Sequence, residues 1–143
     1  MTKGRGKRKK LKSSKIYRIY ARLMERLPLT YPRAFLVVHM DLDELRRYYW
    51  EPEPDPGPAD DDPLAMCNGE DNTIHVPFTL NSESTSDIVE LIMHEIGHLY
   101  ALQKYGFESL EWKEEDTAER YANKFAARWL NRLKKEGWIK KIA

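Results

Sequence analysis

Ser86-Asp-Ile-Val-Glu-Leu-Ile-Met-His-Glu-Ile-Gly-His-Leu-Tyr-Ala-Leu-Gln-Lys-Tyr-Gly106 is the stretch on which the fold turns. Ile88, Leu91, Ile92, Glu95, Leu99 and Leu102 recur at helical spacing and define one stripe. Asp87 and Glu90 resemble a capping box at its start, and Gly106 suits its end. The stretch therefore reads as an amphipathic helix. Within it, His94-Glu95-Ile96-Gly97-His98 spells H-E-x-x-H. Positions i and i+4 are neighbours on one helix face, so both imidazoles can address one metal ion. Glu95 lies beside them as a candidate general base for a metal-activated water.

A catalytic zinc site takes three protein ligands and keeps a fourth position open. The third ligand is expected downstream, on the next element that can fold back. A last helix from about Glu114 to Lys135 offers Glu114, Glu115, Asp116 and Glu119. Its inward face carries Ala118, Tyr121, Ala122, Phe125, Trp129 and Leu133, with Gly137 beyond its end. Small Ala122 and Ala126 would let it approach the H-E-x-x-H helix closely.

Upstream, 64–67 and 73–78 read as a hairpin across Asn68-Gly69-Glu70-Asp71, because Asn-Gly favours a tight turn. Pro77 lacks an N–H, which points to an edge position for the second strand. Ala34–Met40 reads as a buried strand, and Asp41 to Glu44 as a capping box opening a short helix through Trp50. Ile16, Ile19, Tyr20, Leu23, Met24 and Leu27 define a first amphipathic helix from Lys15, stopped by Pro28. Residues 51–63, EPEPDPGPADDDP, hold five prolines and six acids and read as an exposed loop. His39 reads as a core or sheet histidine, and His75 as either that or a cleft residue. Cys67 reads as a small buried hydrophobe, with a thiolate in zinc's open position as the sharper alternative.

The chain has 143 residues and a formal net charge of +1, which hides a segregation. Residues 1–33 carry 12 basic and 1 acidic side chain, 34–119 carry 4 and 21, and 120–143 carry 8 and 1. Residues 1–15, with eight basic side chains and no acid, read as a flexible arm. Residues 3–15 fit nucleic acid or an anionic surface, or else a solubilising tail. No apolar run approaches the roughly 20 residues of a membrane span. No secretory signal is evident, and the single Cys67 excludes an internal disulfide framework; a cytoplasmic location is the expectation.

The two words HEIGH and Glu119-Arg-Tyr-Ala122-Asn123-Lys-Phe125-Ala126 (E-x-x-A-N-x-x-A), about twenty residues apart, resemble the gluzincin metallopeptidases. Size and element order are closest to the minigluzincins, and ImmA/IrrE-type regulatory peptidases share the same words. The resemblance covers residues 64–135. It implies one zinc ion per chain held by His94, His98 and Glu119, Glu95 as general base, and Asn123 orienting a ligand histidine. Many gluzincins carry Asp where this chain has Asn123. Glu115 begins a similar word and is the alternative third ligand, but the A-N-x-F-A context follows Glu119 alone. Tyr100, Tyr105 and Tyr121 are candidate oxyanion donors, and the strand before the H-E-x-x-H helix would pair with extended substrate.

The expectation is an α+β, zincin-like domain over residues 16–143: a three-stranded sheet with an N-terminal helix, the H-E-x-x-H helix and a C-terminal ligand helix. Its function would be zinc-dependent hydrolysis of a peptide or protein substrate. Trp138, Ile139 and Ile142 in the tail would either enter the cleft and hold the enzyme latent or pack on the first helix. Alternatives are a regulatory peptidase acting on a DNA-binding partner and a non-catalytic, zinc-containing, nucleic-acid-associated protein.

Overall fold

A computed structural model describes residues 3–41, 43–45, 65–68, 71–105 and 115–142, with 3–14 and 115–117 as backbone alone. The acidic loop 51–63, the expected helix beyond residue 45, Gly69 and Glu70 of the turn, and Glu114 lie outside the described residues. The architecture is α+β. Helix α1 (Lys3–Arg26) is followed by β1 (Phe35–His39), β2 (Met66–Asn68), β3 (Thr73–Pro77) and a 3₁₀ turn, Phe78–Ser82. Helices α2 (Thr85–Tyr105), α3 (Glu115–Lys135) and the short α4 (Trp138–Ile142) complete the chain. Among the described residues no helix is long and apolar enough to cross a membrane.

Of the predicted stripe, α1 buries Ile16, Ile19 and Leu23 and half-buries Tyr20 and Met24, and Leu27, just beyond its end, is buried. It begins at Lys3, twelve residues before the expected start at Lys15. Lys and Arg are good helix formers, and the packed Ile16–Leu27 face nucleates a helix that continues backward through them, against the cost of Gly4, Gly6 and a cationic N-terminus. Lys15 ties α1 to the 3₁₀ turn by donating to the Asn81 and Glu83 carbonyls at 3.3 and 2.9 Å.

The sheet has the order β1-β3-β2, with β1 parallel and β2 antiparallel to β3. The hairpin forms as expected, but β3 is the central strand, not an edge. Pro77 is tolerated because it sits at the strand's last position, opposite His39, beyond the end of the β2 ladder at Met66–His75. All five β3 residues are buried. Ile74 and Val76 face α2, and Thr73, His75 and Pro77 on the other face are buried as well. Among the described residues β2 is an edge strand.

α2 starts at Thr85, a little before the predicted box. The cap is Ser84, whose hydroxyl accepts the Asp87 N–H at 3.1 Å. Asp87 falls in the first turn, where its charge suits the helix dipole. Ile88, Ile92 and Ile96 pack with α1, β3 and the Phe125-Ala126-Trp129-Leu133 face of α3 in one core. The predicted inward face of α3 is buried at Ala118, Ala122, Phe125, Trp129 and Leu133.

Gly97 explains how near the two helices come. A Cβ there would lie 3.1 Å from Phe125 Cδ1 and 3.2 Å from the Ala122 Cα. Beyond α3, Gly137 turns the chain at φ +78, a conformation glycine adopts without strain. Glu136 then accepts two hydrogen bonds from the Arg26 guanidinium at 2.7 and 2.6 Å, and Ile142 is buried in the core. The tail therefore packs on α1, α2 and α3. Its docked end starts sixteen residues along α3 from Glu119, about 24 Å at 1.5 Å per residue.

Candidate metal centre

α2 presents His94 and His98 one turn apart, and the opening turns of α3 bring Glu119 against them. The Nε2 atoms of the two histidines are 3.1 Å apart. Glu119 Oε1 lies 2.9 Å from His98 Nε2, and Oε2 lies 3.3 Å from His94 Nε2. Three donors on two helices, 21 residues apart in sequence, thus converge on one point. The chemistry of the set fits zinc, because tetrahedral ligands about 2.0–2.1 Å from the ion stand about 3.3 Å from each other. The histidine side chains are 16 and 11% exposed and that of Glu119 is 50%, so the cluster opens to solvent on the glutamate side.

Burial lowers the His98 pKa, and neighbouring His94 adds to the effect while Glu119 opposes it. A neutral imidazole is the form that binds a metal. Glu95 is 6% exposed. Burial pushes its carboxyl up to about 7, against a lowering hydrogen bond from Cys67, with Glu119 adding repulsion. Cys67 lies opposite Ile74 in the β2–β3 ladder, so both side chains point to the α2 face. That register sets the thiol against Glu95. Burial first, then the charge of Glu95, pushes the thiol pKa up, which favours a neutral S–H directed at this carboxylate, and Cys67 is not among the donors that converge with His94, His98 and Glu119. Sequence reasoning did not reach this contact, which only the strand register could reveal.

Asn123 is exposed one turn after Glu119, and among the described residues it makes no hydrogen bond to either histidine. Glu115 begins α3, and its side chain lies outside the described set. Tyr100, Tyr105 and Tyr121 gather around Lys104. Its ammonium lies 5.9 and 5.4 Å from the Tyr100 and Tyr105 ring centres, and Tyr121 meets Tyr105 edge-on at 6.2 Å. His39 and His75 share a buried 2.8 Å contact on the sheet face away from α2, with Glu44 3.6 Å from His39. They are placed together under the sheet. No protein-family model, curated protein or solved structure matches this chain.

Proposed function

We propose that the chain is a gluzincin-like zinc metallopeptidase acting on peptide or protein substrates. The observation that carries this reading is the donor triangle of His94, His98 and Glu119, with separations of 2.9 to 3.3 Å and Glu95 buried beside it. His94 Nε2, His98 Nε2 and a Glu119 oxygen would hold one ion and leave a position toward solvent. When bound, the ion supplies Lewis acidity that acidifies water toward pKa ~7 and polarises a carbonyl.

The remaining work falls to the protein. Glu95, with a proton affinity matched to neutral pH, takes the proton from the attacking water and returns it to the leaving amine. Cys67 holds the Glu95 carboxylate by donating its S–H. Extended substrate would pair on β2, which adjoins this contact and is an edge among the described residues; β3, the strand expected to take that part, is central and paired on both sides. With the tail docked on the core, substrate reaches the centre from the Glu119 side.

Elemental analysis of the purified wild type beside His94→Ala tests the reading. Stoichiometric zinc is expected in the wild type and its loss in the variant. Absence of zinc from the wild type would sink the proposal.

A further inference from the structure

A cavity of about 320 Å³ opens between α2, α3 and the turn that follows α1, on a stripe of α3 next to the one that carries Glu119. Its floor is aromatic: Tyr31, Tyr100, Tyr121, Phe125 and Trp129. Its rim is cationic: Lys104, Arg128 and Arg132. No carboxylate is among the described lining residues. Arg132 lies 3.5 Å from Glu136, which Arg26 already engages, and stacks on Trp129 at 4.9 Å. Lys104 and Arg128 are exposed and have no acidic partner among the described residues. A concave site of this volume lies at the small end of ligand pockets, which span about 300–1,000 Å³.

We propose that this cavity binds a nucleoside monophosphate unit, with the base against the Tyr100 and Tyr121 rings and the phosphate held by Lys104, Arg128 and Arg132. Charge and shape both select this ligand. Three cations around an aromatic floor favour an anion with a flat apolar body. A guanidinium fork matches phosphate oxygens in pairs. An extended peptide is disfavoured because the cavity walls are mostly helical, with backbone N–H and C=O groups spent inside the helices, so no ladder is on offer. Base and phosphate need side chains alone.

The same unit could be a free nucleotide or part of a single strand. The eight basic residues between Lys3 and Lys15, carried on α1, favour a longer polyanion. The inference does not depend on the metal centre.

Calorimetric titration of the full chain with AMP, adenosine, inorganic phosphate, a short oligoadenylate and an acidic peptide tests it. AMP is expected to saturate one site, with adenosine and phosphate each weaker by roughly tenfold or more, because each lacks half of the contacts. The exposed pair Lys104→Gln/Arg128→Gln should weaken AMP by about tenfold or more, and Tyr121→Ala should weaken it independently. Tighter binding of oligoadenylate than of AMP assigns the site to single strands, and equal binding assigns it to free nucleotide. The proposal is overturned if AMP fails to saturate, if phosphate binds as tightly as AMP, or if the acidic peptide binds more tightly than AMP. It is equally overturned if the double variant binds AMP as wild type does, which is also the result expected of phosphate held at the metal centre.

Discussion

Glu95 carries two burdens that pull against each other. Burial raises its proton affinity to about 7, which a base working near neutrality needs, and the same burial makes an ionised carboxylate costly unless something donates to it. Cys67 is that donor. Under the proposed function, replacing Glu95 by Gln keeps volume and removes the proposed base, so hydrolysis should fall by about 10²–10⁴-fold while zinc stays stoichiometric. Parallel activity and metal assays check this, and loss of zinc with activity would contradict it. Glu119→Gln should weaken zinc binding by at least ~100-fold, whereas Glu115→Gln should leave it within about threefold, since a ligand carboxylate gives far more than a bystander. At this scale His94, Glu95 and His98 were readable because helix periodicity sets them on one helix, while Glu119, on the next helix, was singled out from its acidic neighbours only by the A-N-x-F-A word that follows it. Cys67 was not, because its neighbour depends on a strand register that no local pattern encodes.

The pairing of α2 with α3 rests on one missing methyl. Alanine at position 97 would gain up to about 1 kcal/mol of helix propensity, but overpacking costs typically about 1–3 kcal/mol. One of the atoms it meets is the Ala122 Cα, which cannot rotate away. Gly97→Ala should therefore destabilise the fold by about 1 kcal/mol, read by denaturant titration, and weaken zinc binding by parting His98 from Glu119. The amphipathic stripes of α1, α2 and α3 were legible because each buries a single face. β3 was not placed correctly, because Pro77 signals an edge only when it lies inside a strand, and here it ends one. That central position also buries His75. Burial and then the neighbouring His39 lower its pKa, so the folded state prefers it neutral. The unfolded chain binds the proton more readily, so stability is full above the ordinary histidine pKa of about 6.5 and declines as pH falls below it. In thermal melts across this range, His75→Gln should reduce that slope.

Taken as a whole, the molecule closes on itself through its last residues. Ile142 is 2% exposed, and Arg26 grips Glu136 from a helix 110 positions earlier in the chain. Truncation after Lys135 should lower unfolding free energy by at least about 2 kcal/mol, the lower end for losing one large buried aliphatic group. It should not raise zinc-dependent proteolysis, because the removed segment lies along the core and not among the metal donors. A gain in activity would show that the tail restrains the centre.

The sheet order carries a consequence for how the chain folds. β2 and β3 meet across a short turn, so their ladder closes a small loop, whereas β1 reaches β3 only after Phe35 finds Thr73, 38 positions away. Loop-closure entropy rises with length, and parallel pairing gives back slightly less per residue. With Phe35 72% exposed, β1 has little side-chain burial at its start to hold it. β1 should therefore join late and open early, and its amide hydrogens should exchange with deuterium ahead of those of β3, through partial openings that leave the α2–α3 pair intact.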